Sequence, residues 1–317
     1  MLDKMGLAQA AQAKVEDWAR GAQTLALFHT ALRSGLLARL EVPHTPAELG
    51  GDEALVTEVC KTLALAGVLA ETEGRYQVTP GFAAALDPAM MMPLRGVLEG
   101  LQARVEALQE SQGYDAAATA IAEGATLNPL SPVTEAVIGE WMQKYGAAIE
   151  WGERHCEFGC GVGGGLLFTL RLAPGMKGVG IERNPEVLER AQHAAELLGL
   201  SERVEFRLGD VAEMVDEHVF DTGFWSQSFF PDEDRGPALA AIRRALKPGG
   251  WLIVPGFEGG EPSDSLGYHL NRLVFRTWGV PARSRTGLQA ELEEHGFQVV
   301  GGGPLGPDMT CLVARAR

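Results

Sequence analysis

A chain of 317 residues carrying 42 acidic against 27 basic side chains has a formal net charge of −15, a field that repels nucleic-acid phosphates and anionic membrane surfaces alike. Its 46% hydrophobic content suits a folded protein, at a length that favours about two domains. The four cysteines form no C-x-x-C pair and are too sparse for a disulfide scaffold, so a reducing compartment is expected; no metal site is read, and no apolar run reaches the roughly 20 residues of a spanning helix.

In chain order, the opening "MLDKMGLAQAAQAKVEDW" carries charges throughout and lacks the apolar stretch of a signal peptide, so a cytoplasmic protein is expected. "HTPAELG" reads as a Thr cap, a proline in the first turn and a short helix. Asp52 caps a longer helix whose apolar face is Leu55, Val56, Val59, Cys60 and Leu63. A strand pair, "GVLAET" and "YQVT" around "EGR", follows; helix, short helix, helix and hairpin is the order of a winged helix. From Met90 to about residue 150 further helices are expected, broken at "NPLSP". The boundaries are therefore 1–90 for the winged unit, 91–150 for connecting helices and a lid, and 151–317 for the rest.

From Cys156 the rhythm changes to strand and helix in alternation: "HCEF", "GVGIE", "VEFRL", "DTGFW" and "WLIVP" are strands, with helices near "GLLFTLRL", "NPEVLERAQHAAELLG", Ala212 and "GPALAAIRRAL". Units of this length imply a parallel sheet covered on both faces. "GFQVVGGG" and "TCLVAR" add two strands with no helix between them, one of them antiparallel.

The loop "EFGCGVGGG" (157–165) permits two spellings. Gly159, Gly161 and Gly164 fit the G-x-G-x-x-G of dinucleotide sites; Glu157, Gly159, Gly161 and Gly163 fit E-x-G-x-G-x-G, a loop that holds S-adenosylmethionine (SAM). Charge discriminates: Glu157 repels a pyrophosphate, whereas the ammonium and sulfonium of SAM welcome it. Glu182 ends the second strand, where one carboxylate accepts both hydroxyls of a ribose, and Asp210 ends the third, placed to accept an adenine amino group beside the Val211 amide. Asp210 also reads as a helix cap.

"HCEFGCGVGG", "GIE", "GD" and "ALKPGGWLIV", in this order and spacing, resemble class I SAM-dependent methyltransferases over roughly residues 150–317. "TALRSGLLARL", "TPAELG" and "CKTLALAGVLAETEGRYQVTP" resemble the winged-helix dimerisation domain of small-molecule O-methyltransferases. The resemblance implies an α/β fold: a doubly wound, mostly parallel seven-stranded sheet (Rossmann-like) with an N-terminal helical winged domain, assembled as a homodimer. It implies SAM as cofactor, held by Glu157, Gly159, Gly161, Gly163, Glu182, Arg183, Asp210, Val211 and Trp225. It also implies a small, largely apolar acceptor of secondary metabolism, contacted by Gln227, Phe230, Asn271, Phe275 and Trp278. One departure stands out. The family's catalytic histidine just beyond the fourth strand is replaced by Ser228 in "FWSQSFFPDED", and a lone hydroxyl is no base. Ser228 and His269 are the candidates for a catalytic role, and methylation at C or N stays open beside O-methylation.

Two alternatives remain from the sequence. Some relatives of this family bind SAM without transferring methyl. A winged helix can also serve a SAM- or metabolite-sensing DNA-binding regulator. Against the latter, residues 21–90 carry Arg33, Arg39, Lys61 and Arg75 against Glu41, Glu48, Asp52, Glu53, Glu58, Glu71, Glu73 and Asp87, the wrong sign for phosphate contact.

Overall fold

The computed structural model describes residues 2–90, 92, 94–110, 114–256, 266–280, 283–305 and 310–317. It divides into two compact units, Met1–Asp87 and Pro88–Arg317.

The first unit runs α1 (Leu2–Arg33), α2 (Leu36–Arg39), α3 (Pro46–Leu49), α4 (Glu53–Leu65), β1 (Leu69–Thr72), β2 (Arg75–Val78) and α5 (Pro80–Leu86). Its helix starts are set by the residues the sequence marks. Thr45 and Glu48 close a reciprocal capping box on α3, and the Asp52 carboxylate accepts from the Ala54 and Leu55 amides. Glu73 and Gly74, both at positive φ, turn β1 into its antiparallel partner β2. Leu37, Leu40, Cys60, Leu63, Val68, Leu69 and Tyr76 are buried, whereas Val15, Trp18 and Leu25 of α1 are exposed.

The second unit begins with α6 (Leu94–Glu110), α7 (Tyr114–Ala125) and α8 (Pro132–Trp141). The first two meet backbone to backbone: a Cβ on Gly124 would lie 2.7 Å from the Gly96 carbonyl oxygen and 3.1 Å from Gly100 Cα. The segments flanking this pair are tied together. Asn128 Nδ2 donates to the Pro88 carbonyl at 2.6 Å, and the Ser131 hydroxyl donates to the Ala89 carbonyl.

There follow β3 (Arg154–Phe158), α9 (Gly164–Leu172), β4 (Lys177–Glu182), α10 (Pro185–Leu197), β5 (Val204–Leu208), β6 (Phe220–Trp225), α11 (Asp232–Ala245), β7 (Leu246–Gly256), α12 (Leu266–Thr277), α13 (Arg285–Glu294), β8 (Phe297–Pro304) and β9 (Thr310–Ala316). The seven strands from β3 onward form one sheet in the order β5-β4-β3-β6-β7-β9-β8. Pairing is parallel from β5 to β7, while β9 runs antiparallel to both β7 and β8. The doubly wound seven-stranded sheet expected from the sequence is present.

Three readings of local structure need correction. The helix expected near Ala212 is a single 3-10 turn, Val211–Glu213, capped by Asp210, whose side chain accepts from the Ala212 amide at 2.8 Å. The helix read at "GPALAAIRRAL" starts earlier, at Asp232, where three acids occupy a first turn that favours negative charge. The last parallel strand also begins earlier, at Leu246, so that "KPGG" lies within it.

A buried polar pair lies between β3 and β6, where the neutral His155 ring meets the Thr222 hydroxyl at 2.8 Å. Burial pushes the His155 pKa down to about 4. The unfolded chain, with an ordinary histidine value of about 6.5, binds more protons between these limits, so this group costs stability as pH falls from about 6.5 to about 4. The difference in unfolding free energy between wild type and His155→Asn should shift by up to about 3 kcal/mol across that window. A pH-independent difference in denaturant titrations would refute the assignment.

Candidate functional site

The sheet changes winding direction between β3 and β6: β4 and β5 follow on one side of β3, β6 and β7 on the other. Loops leaving these two strands diverge and open a crevice at their C-terminal ends. A cavity of about 200 Å³ occupies it.

One wall is the glycine loop. Gly159 has φ +76°, and a Cβ there would lie 3.0 Å from the Phe230 ring; Gly161 has φ +55° and donates its amide to Glu182 Oε2 at 3.0 Å. A side chain at either position would strain the backbone, and at Gly159 it would also strike the ring. Gly163, at φ +78°, starts α9 and packs toward Ala191 and Phe206 instead of lining the cavity. A Cβ on Gly164 would overlap the Thr126 hydroxyl and the Leu127 carbonyl, so the segment after α7 rests on the start of α9.

Acids from three strand ends converge here. Glu157, Glu182 and Asp210 all line the cavity, together with Arg183 and Val211. Glu182 accepts the Gly161 amide on one oxygen and the Asn184 amide on the other, which fixes its orientation. Glu157 differs: it is 5% exposed, and its Oε2 has no hydrogen-bond partner. Burial pushes its pKa up to about 8, with the Leu166 amide pulling the other way. A buried polar atom left unmatched is costly. A buried carboxyl group with one oxygen unmatched, on the wall of a glycine-lined cavity, fits the ammonium end of an amino acid–nucleoside, whose charge favours the ionised form.

The opposite wall is apolar; the sequence marks its Phe230 but none of its helical residues. Met92, Ala122, Ala125, Leu127 and Ile138 come from the helical segment before the sheet, Leu305 from beyond β8, and Phe224, Ser226, Phe229, Phe230 and Pro255 from the ends of β6 and β7. Asp234 also lines the cavity and pairs with Arg183 at 3.7 Å. No sequence signal marked the helical contributions, because their helices carry no motif. The strand-end contributions follow from alternation along β6.

That alternation corrects one expectation. Trp225 is fully buried and does not line the cavity, whereas its neighbours Phe224 and Ser226 do. Successive side chains of a strand point to opposite faces, and Trp225 points into the core, 5.6 Å from Phe230 between ring centroids. Of the expected acceptor contacts, Phe230 lines the cavity, while Gln227 is buried behind it. Phe275 and Trp278 pack with Ala103, Ala107 and Ile121, next to Phe229. The side chain of Asn271 lies outside the described residues. Ser228 is half-buried, accepts a hydrogen bond from Gln227 Nε2 at 2.8 Å, and is not part of the cavity wall; His269 is exposed and is not part of it either.

A further residue without sequence warning is Arg235 on α11, 1% exposed. Its Nε and Nη2 donate to the two oxygens of Glu291 on α13 at 2.7 and 2.6 Å. Nη1 and Nη2 donate to the Gln227 carbonyl and Oε1 at 2.6 and 2.9 Å, and the guanidinium lies 4.8 Å from the Trp225 ring centre. Gln227 Nε2 in turn donates to the Pro255 carbonyl at 3.0 Å. Burial alone would raise the Glu291 carboxyl, but the Arg235 hydrogen bonds and charge hold it below its ordinary value. This network fixes the turn carrying Ser226, Phe229 and Phe230.

Comparison with known proteins agrees with this geometry. Residues 149–265 match the family described as "Methyltransferase domain". Sterol 24-C-methyltransferase of Pneumocystis carinii is 29% identical over 165 residues, 49% of this chain and 42% of the relative. The Saccharomyces cerevisiae sterol 24-C-methyltransferase is 26% identical over 37% of this chain and 32% of its own length. The chain thus spans less than half the length of these curated relatives. Among solved structures, the mitomycin 7-O-methyltransferase MmcR aligns over 99% of this chain and 100% of its own at a TM-score of 0.73 and 20% identity. Human N-acetylserotonin methyltransferase, solved in complex with SAM, aligns over 96% and 97% at 0.70 and 17%. At such identities the likeness establishes the fold.

Breaking a buried pair leaves an uncompensated charge, at a typical cost of about 3–5 kcal/mol. Glu291→Gln should lose stability on that scale, and Arg235→Met combined with Glu291→Leu should lose less than Glu291→Gln alone. Urea unfolding checks both; a single substitution costing under about 1 kcal/mol would show the clamp to be dispensable.

Proposed function

With residues 149–265 carrying a methyltransferase domain on a class I sheet, we propose that this chain is a SAM-dependent methyltransferase acting on a small, largely apolar metabolite. The observation that carries the reading is the orphaned Glu157 oxygen in a cavity lined by the glycine loop and by Glu182 and Asp210. SAM supplies a methyl group made electrophilic by its sulfonium.

The residues of the chain then divide the work. Glu157 and the Gly159–Gly161 backbone receive the amino-acid end. Glu182, held by two amides, presents its remaining lone pairs to the ribose hydroxyls, and Asp210 with Val211 reads the adenine edge. The apolar wall from Met92, Leu127, Ile138, Phe229 and Phe230 excludes water and aligns an acceptor with the methyl group, so catalysis rests chiefly on positioning. The acceptor atom is oxygen in the first instance, by likeness to the O-methyltransferase structures. Carbon is the second reading, favoured by the sterol C-methyltransferase relatives and by Ser228 standing where the family has its histidine.

Exposed Val15, Trp18 and Leu25 on the first helix support assembly as a homodimer through the N-terminal unit, and the net charge of −15 argues against nucleic acid or membranes as partners. We place the protein in the cytoplasm, in secondary metabolism. Light scattering should give twice the 33.9 kDa chain mass; a monomer at micromolar concentration would contradict the assembly.

Glu182→Ala and Asp210→Ala should each weaken SAM binding by about 1–3 kcal/mol, or roughly 5- to 150-fold. Calorimetry showing unchanged affinity in both would remove the cofactor assignment. Mass spectrometry of candidate metabolites incubated with SAM identifies the acceptor. With that acceptor, Ser228→Ala and His269→Ala should each cost less than about tenfold in turnover, whereas loss of a true general base costs about 10²–10⁴-fold.

A further inference from the structure

Glu157 is buried, and one of its oxygens has no hydrogen-bond partner. Its carboxyl ends β3 beneath α9, with the Gly165 backbone so close that a Cβ there would lie 3.0 Å from Oε1. Among the described residues no charged side chain is hydrogen-bonded to it or ion-paired with it. The titratable and charged groups around it are few. Its own strand and loop contribute the Cys156 and Cys160 thiols, which burial drives further into the neutral form. Strand β4 contributes Glu182, already bound to two amides, and Arg183, which pairs with Asp234. Strand β6 contributes Phe224 and helix α9 the Leu166 amide. Nothing among these groups compensates a negative charge at Glu157 except that one amide.

We propose that cofactor binding at this site is coupled to proton release: the ammonium group of the cofactor meets the unpartnered oxygen of Glu157, and the carboxyl gives up its proton to solvent as the ion pair forms. This rests on the reading of the chain as a SAM-binding protein. In the free protein the carboxyl is neutral through pH 7, because burial raises its pKa to about 8. The incoming cation reverses that balance, since an opposite charge within a few ångströms favours the ionised form. Linkage fixes the sign. If the bound state holds fewer protons than the free state, the apparent affinity increases with pH up to the free-state pKa and levels off above it. Raised acidity therefore releases cofactor without any change of fold.

S-adenosylhomocysteine is the probe, because it carries the same amino-acid end without the sulfonium. Below pH 7 its amino group, with an ordinary value of about 8, stays charged, so the carboxyl alone titrates. Calorimetry on the full chain at pH 6.5, in buffers of different ionisation enthalpy, should report roughly 0.5–1 proton released per site, and the dissociation constant should fall about three- to tenfold per pH unit between 5.5 and 7. Glu157→Gln, neutral at every pH, should release none and show a flat profile. Binding without proton release in the wild type, or equal release from Glu157→Gln, overturns the inference and leaves the methyltransferase reading standing. Absence of binding at any pH overturns both. If Glu157→Gln does not fold, the buffer comparison on the wild type decides.

Discussion

A carboxylate sealed from water with one oxygen unmatched persists only as a neutral acid or opposite a cation. Glu157 imposes that constraint on the second unit. The strand order places it where β3 and β6 part, the glycines after it keep the surrounding backbone thin enough for a ligand to approach, and the acids at the ends of β4 and β5 complete an edge suited to hydroxyls and an amino group. Strand order, loop composition and charge agree on one kind of ligand, although each arises from a different part of the sequence.

The apolar wall is organised by other means. Its aromatic residues stand on the short turn after β6, a single 3-10 turn closed by the amides of Phe229 and Phe230 donating to the Ser226 and Gln227 carbonyls. Arg235 fastens it from behind, joining that turn to α13 and to the end of β7 through Glu291 and Gln227. The charge is buried, yet each of its contacts is satisfied, which is the condition under which an internal ion pair is tolerated. The glycine-loop wall is shaped by backbone and the apolar wall by a side-chain network.

Much of this could be read from the chain, and the failures have a common cause. Caps and turns announce themselves locally, so Asp52 and the Glu73–Gly74 turn are where the sequence puts them. The strand-end acids follow from the strand–helix rhythm, and Glu157, Glu182 and Asp210 do share the cavity. The phase of Trp225 at the end of β6 depends on neighbours in space, which turn it into the core and leave Phe224 and Ser226 to the cavity. Met92, Ala122, Ile138 and Leu305 are ordinary apolar residues in their own segments, and only the tertiary arrangement makes them a wall. Arg235 and Glu291 lie 56 positions apart, with nothing in either segment to point to the other.

The helical hairpin over the cavity has a closed base. With Asn128 and Ser131 holding the backbone at 88–90, the chain enters and leaves α6–α7 at one place, and the glycine contact through Gly96, Gly100 and Gly124 leaves no slack between the two helices. The pair is thus one packed unit tied together at its base, not two independent covers. Because Met92 and Leu127 stand beside that base and Ala122 and Ala125 belong to α7, whatever fixes the base also fixes the helical share of the apolar wall.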